Sequence, residues 1–271
     1  MSRVRLGAVG YLNARPLTFG LDRSPRFELR YDVPAKCAEL LHEGTIDLGL
    51  IPSIEYLRRP GYSIVPGLAI ASRGPVASVL LFTTKPIHEV RSIAMDTSSR
   101  TSVALVRVLC ARRFGIAPAL EPQGPDLAAM LGQCDAALII GDNALLARGD
   151  NAPLARGDDA PLPECVDLGE EWTAMTGLPF VWAFWAGPAG ALSHDDVAAL
   201  QEARDLGIQR PVEIAEAYFP GRPDLQSVAA SYLRDNIKYH LAEDERAALE
   251  LFYRYAVEAG VMAVAAPLSF F

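Results

Sequence analysis

The chain has 271 residues, 51% of them hydrophobic and 21% charged, with a net charge of −8. That length and composition fit one large or two ordinary folded domains and exclude a disordered chain. The acidic balance argues against nonspecific nucleic-acid binding and against an anionic membrane surface. A small anion can bind only where local cations and N–H groups overcome that background.

Val4–Val9 reads as a strand that begins almost at once, leaving no room for a signal segment or lipid anchor, and no apolar run approaches a membrane span. The expected compartment is the cytoplasm. Gly10–Pro16 reads as a turn opening a helix, with Pro16 suited to its first position. Phe27, Leu29, Tyr31 and Val33 alternate as in a half-buried strand. Pro34 starts a helix that turns Cys37, Leu40 and Leu41 inward and ends at Gly44. Ile46–Ile51 is a buried strand running into Pro52-Ser53, and two further strands, near Leu68–Ser72 and Ala77–Thr84, flank Arg73-Gly74-Pro75.

A second block of alternating strands and helices spans about Ile87 to Phe180. Ser92–Met95 is a short strand, and Val103, Val106 and Cys110 recur at helical spacing after it. The link between them, Asp96-Thr97-Ser98-Ser99-Arg100-Thr101-Ser102, therefore sits at a helix N-terminus, where unpaired N–H groups and the helix dipole attract an anion. Ordinary N-capping is the competing use of such residues. Ala136–Ile140 is another strand, ending in Gly141-Asp142-Asn143 and a helix-like segment. A tandem octamer follows, LARGDNAP at 146–153 and LARGDDAP at 154–161, which reads as a solvent-exposed loop. The strand Phe180–Ala186 leads back toward the first block. Ser193 with Asp196 then makes a capping-box-like start, and Leu249, Phe252, Tyr255, Ala256 and Ala259 form one face of a late helix.

The economical architecture is α/β in two lobes. Residues 1–85 and 184–271 form lobe 1 with C-terminal helices packed on it, and residues 86–183 form lobe 2. Two crossings, near Phe82–Lys85 and Val181–Trp185, join them. Such lobes leave a ligand cleft at the strand C-termini. The four cysteines (Cys37, Cys110, Cys134, Cys165) show neither C-x-x-C spacing nor a His partner at metal-ligand spacing, and three of them read as small core residues. Neither a phosphate loop nor a dinucleotide fingerprint appears, so no cofactor and no metal are expected.

Five stretches together resemble the chorismate dehydratases of the futalosine route to menaquinone: VGYLNARPL (Val9–Leu17), DLGLIPS (Asp47–Ser53), DTSSRTSVAL (Asp96–Leu105), DAALIIGDNAL (Asp135–Leu145) and DLGEEWTAMTGLPFVWAFWA (Asp167–Ala186). The duplicated loop at 146–161 departs from that pattern. The resemblance implies a type II periplasmic-binding-protein-like fold and a hydro-lyase. Its reaction removes water from chorismate to give 3-[(1-carboxyvinyl)oxy]benzoate, without nucleic-acid or membrane partners. Two alternatives stand beside it: an enzyme like the 1,4-dihydroxy-6-naphthoate synthase of the same pathway, and a non-catalytic cytosolic protein that binds a small anion.

Asn13 follows the first strand, and its amide can donate to and accept from a substrate hydroxyl or carboxylate; helix capping is its alternative. The resemblance makes it the first catalytic candidate. Asp142 is the second, as acceptor from the leaving hydroxyl or as a base if burial raises its pKa, with helix capping as the alternative. Ser98, Ser99, Arg100, Thr101 and Ser102 would receive a substrate carboxylate, though Arg100 can equally point to solvent. Ser53 is a similar helix-start candidate, and Ser72 and Ser78 could complete the opposite wall, with turn or cap roles as alternatives. Glu55 and Asp96 are weaker acid–base candidates, and His42, His88, His194 and His240 are assigned none. Trp172, Trp182 and Trp185 can wall the ring site, but such a cluster reads more readily as core at the lobe junction. Should no protein base be placed, a substrate carboxylate can take the proton itself.

Overall fold

The computed structural model describes residues 3–147 and 164–271, so the duplicated octamers lie almost wholly outside the described residues. Two sheets organise the chain. The first is built from β1 (Val4–Val9), β2 (Phe27–Asp32), β3 (Leu48–Pro52), β4 (Tyr62–Ile64) and β5 (Ile70–Ser72). The second contains β6 (Val79–Thr83), β7 (Ser92–Asp96), β8 (Ala119–Gln123), β9 (Ala136–Ile140) and β10 (Glu164–Asp167), before β11 (Phe180–Pro188) returns to the first. In the first sheet β1 runs parallel to β2 and β3, while β11 pairs antiparallel with β3, β4 and β5. In the second, β7 is parallel to β8 and β9, and β6 is antiparallel to β9 and β10.

The chain thus changes sheets between Ser72 and Val79 and again between Asp167 and Phe180. Both crossings fall several residues before the positions the sequence suggested, 82–85 and 181–185. The reason is packing: β6 alternates Val79 and Leu81 into the main core with Leu80 and Phe82 into a second core, and β9 does the same. A strand buried on both faces reads as one apolar run, which carries no mark of the sheet it joins. The strands β4, β8 and β10 were not legible. β4 is three residues long, and β8 and β10 are edges of the second sheet, mostly exposed, with Pro122 inside β8.

The helices are α1 (Pro34–His42), α2 (Arg100–Leu109), α3 (Leu127–Gln133), α4 (Gly141–Ala147), α5 (Leu168–Thr176), α6 (His194–Ile208), α7 (Pro211–Tyr218), α8 (Pro223–Ser231) and α9 (Glu243–Glu258). Ser193 caps α6 in the anticipated box with Asp196, and Ser99 caps α2 by accepting from the Ser102 N–H. After β1 the chain forms a 3-10 segment, Leu12–Thr18, with Pro16 inside it rather than at its start. Gly207 allows α6 to close on this segment, because a Cβ there would meet the Pro16 carbonyl oxygen at 2.2 Å. Helix α9 packs on β11 and also on α2, so the C-terminal helices touch both lobes and not lobe 1 alone.

Candidate active site

A cavity lies between the lobes, at the C-terminal ends of strands from both sheets, where open α/β sheets place their ligands. From the first sheet, Tyr11 and Asn13 follow β1 and Pro52 ends β3. From the second, Ser99 and Ser102 open α2, and Ile140 and Gly141 join β9 to α4. Ser78 sits in the first crossing and Trp182 in β11. Among the described residues that line the cavity, none carries an ionised side chain, and Tyr11 is the only titratable one. Burial pushes the Tyr11 hydroxyl up against the opposing bond to Ser98, so it is neutral near pH 7.

Asn13 presents a buried Oδ1 with no hydrogen-bond partner among the described residues, while its side chain also bonds the Tyr232 hydroxyl. A buried acceptor left open costs free energy unless something fills it, so this atom is free to accept from a donor placed in the cavity. Beside it, the buried Tyr232 hydroxyl donates to Ser78 Oγ at 2.6 Å. Ser78 follows Ala77, the one non-glycine residue with positive φ (62°) among the described residues. That strained backbone is held by Asp167, whose carboxylate accepts from the Val76 and Ala77 N–H groups at 3.0 and 2.7 Å while also capping α5.

The seven-residue link into α2 divides between two directions. Ser99 and Ser102 face the cavity, with their hydroxyls 3.0 Å apart, at the positively polarised start of the helix. Arg100 and Thr101 turn away from it. Arg100 Nη1 donates to Glu55 at 2.8 Å and Nη2 to Glu39 at 3.0 Å, so the arginine, its side chain still 30% exposed, pairs with lobe 1 instead of lining the cavity. Thr101 Oγ1 accepts from the Ile54 N–H at 3.2 Å, beside Ser53, whose hydroxyl donates to the Val181 carbonyl at 2.8 Å. Ser98 is tied to Asp96 by its N–H and hydroxyl. Ser72 accepts from the Trp182 indole at 3.1 Å, behind the cavity wall.

The structure thus brings the catalytic candidate Asn13 and the binding candidates Ser78, Ser99 and Ser102 to the cavity, and keeps Ser53, Ser72, Ser98, Arg100 and Thr101 out of its lining. Asp142 also lies outside the lining; its two oxygens accept from the Leu12 N–H at 3.1 Å and the Tyr218 hydroxyl at 2.5 Å. Glu55 is fully buried and ion-paired with Arg58 and Arg100, with His42 at 3.2 Å. Tyr11 and Tyr232 were not singled out in the sequence, and Trp182 was read as core rather than wall. Trp172 and Trp185 are core as expected, but Trp182 is part of the wall, and only its place at the bulged pairing of β11 with β5 turns it there.

Two lobes joined by two crossings, enclosing a cavity lined by a helix start, define a protein of the periplasmic-binding-protein-like class. Solved structures share this fold: a protein from Archaeoglobus fulgidus superposes with a TM-score of 0.72 at 16% identity, covering 96% of this chain and 98% of that one. The periplasmic aliphatic sulphonate binding protein of Escherichia coli gives 0.61 at 18% identity, covering 94% and 91%. The chain belongs to the menaquinone biosynthesis family, whose model matches residues 4–258. A chorismate dehydratase from Thermus thermophilus is 34% identical over 259 residues, covering 91% of this chain and 93% of the relative. Another, from Campylobacter jejuni, is 28% identical over 256 residues, covering 92% and 95%.

Proposed function

We propose that this protein is a cytoplasmic chorismate dehydratase, a hydro-lyase that converts chorismate to 3-[(1-carboxyvinyl)oxy]benzoate and water. The ring carbon bearing the enolpyruvyl ether loses its hydrogen, and the neighbouring carbon loses its hydroxyl. Aromatisation drives the reaction, so the protein's task is to orient the substrate and lower the barrier. The observation that carries the reading, beside family membership, is a cavity with neutral donors and one open acceptor but no ionised side chain.

Among the described residues, the lining of this cavity offers no carboxylate or imidazole as base. The substrate's own enolpyruvyl carboxylate takes the proton, and the same proton leaves with the hydroxyl as water. Charge released from the breaking C–H bond spreads through the ring diene into the ring carboxylate. Ser99, Ser102 and the start of α2 supply hydrogen-bond donors for that carboxylate. Preorganised donors of this kind lower barriers by roughly 3–4 kcal/mol each. The open Asn13 Oδ1 accepts from the ring hydroxyl and orients it. Trp182 and the apolar walls exclude water, which keeps the carboxylate basic.

Incubating the purified protein with chorismate, followed by mass and ultraviolet analysis, tests this. The expected product is lighter than chorismate by one water and has a benzoate spectrum. Unchanged chorismate with thermal stabilisation of the protein would instead indicate a binder, and no effect of any kind would favour the naphthoate synthase-like reading.

A further inference from the structure

The turn that carries Asn13 is fastened to the opposite lobe at the two residues before it. The Tyr11 ring packs on Gly141, where a Cβ would approach to 2.8 Å, and its hydroxyl donates to Ser98 Oγ at 3.3 Å. The Leu12 N–H donates to Asp142 Oδ1. The other oxygen, Oδ2, accepts from Tyr218 at the end of α7, whose hydroxyl also lies 3.0 Å from the Gly10 carbonyl oxygen. Arg15 stands between Tyr31 and Tyr218, 4.1 and 5.1 Å from their ring centres, and donates to the same carbonyl. Three separate parts of the chain therefore meet at one carboxylate: the turn after β1, the start of α4 in the second lobe, and the C-terminal helix α7.

We propose that Asp142 and Tyr218 form an interlobe latch that fixes the closed arrangement and, through Leu12, the position of Asn13. Both are then positioning residues for the dehydration, and Asp142 is not its base. A base must turn a lone pair toward the reacting carbon. The cavity wall contains Gly141 but not Asp142, and each oxygen of Asp142 already holds a donor. A latch needs the opposite properties: partners on both lobes, charge-assisted bonds, and a donor that nothing else replaces. Replacing Tyr218 by Phe removes that donor without changing the ring. The inference rests on the chorismate dehydratase reading for its kinetics, but not for its geometry.

The test combines steady-state kinetics on chorismate with small-angle scattering of the unliganded protein, for D142N, D142A and Y218F. An amide oxygen at 142 still accepts from Leu12, so D142N is expected to raise KM several-fold and lower kcat no more than about threefold. D142A and Y218F are expected to raise KM roughly tenfold or more, the range for losing a hydrogen bond to a charged group. Both should enlarge the radius of gyration, and the double variant D142A/Y218F should be no worse than D142A alone. A kcat loss of about a thousandfold in D142N at unchanged KM would make Asp142 the base and overturn the proposal. So would Y218F with wild-type KM and wild-type scattering. Wild-type protein that leaves chorismate unchanged would refute the functional reading only; the scattering of D142A and Y218F would still decide the latch. If D142A does not fold, D142N and Y218F carry the same test.

Discussion

The cavity and the seam behind it are built in part from one turn of helix, yet they use opposite chemistry. Ser99 and Ser102 bring uncharged hydroxyls to the cavity, while Arg100 and Thr101, one step round the same turn, enter the contact between lobes. The seam is densely charged: fully buried Glu55 pairs with Arg58 and Arg100, and Arg100 also reaches Glu39. Within this link Arg100 and Thr101 hold the lobes together, while Ser99 and Ser102 line the cavity. On the proposed mechanism this division has a chemical reason. An arginine paired with the enolpyruvyl carboxylate would depress its pKa and make it a poorer base, whereas hydroxyls and N–H groups hold a dicarboxylate with less loss of basicity.

The contrast can be broken at either region. The largest effect is expected in the cavity, from Asn13→Ala. Its Oδ1 has no partner among the described residues, and its side chain otherwise bonds the buried Tyr232 hydroxyl, so the melting temperature should fall by no more than a few degrees, while kcat/KM falls roughly 100- to 1,000-fold, about 3–4 kcal/mol of transition-state stabilisation. A large drop in melting temperature would assign the amide a structural role instead. The seam should respond the other way. Arg100→Ala leaves buried Glu55 short of a partner, and a stability loss of about 1–3 kcal/mol is expected in urea unfolding, with KM for chorismate changed less than about threefold. Unchanged stability with a hundredfold rise in KM would move Arg100 into the binding site and dissolve the distinction.

The smallest effect is a pH dependence at the latch. Burial raises the Asp142 carboxyl above its usual range, despite the bonds from Tyr218 and Leu12 and the nearby Arg15. Its folded form thus holds the proton more tightly than the unfolded form. The stability this group contributes is greatest below the ordinary carboxylate value and declines as pH rises through the raised one. The stability difference between wild type and Asp142→Asn should therefore shrink as pH rises from about 4 to 7. A difference that grows instead would mean that the hydrogen bonds outweigh burial.

Much of the frame was legible because it is local. The strand at Ala136–Ile140, the helix start after Asp96, the box at Ser193 and Asp196, and the proline start of α1 each depend on residues within one or two turns, where propensity and capping chemistry act directly. Where the chain changes sheets was not legible, since a strand buried on both faces looks the same in either sheet. The hydroxyl-rich link announced a helix start facing something polar. Which of its side chains turned to the cavity did not follow, because i and i+3 share a face only once the helix has been docked on the opposite lobe.

By itself, then, the sequence determined the α/β class, the helix start between β7 and α2, the turn bearing Asn13 and the family. Tertiary structure alone decided that Arg100 and Thr101 lock the lobes, that Trp182 joins the cavity wall, and that Asp142 finds Tyr218, 76 residues further along the chain. The physical reason is the range of the forces: capping and periodicity act within a few residues, whereas burial and ion pairing depend on partners that only the closed fold brings together.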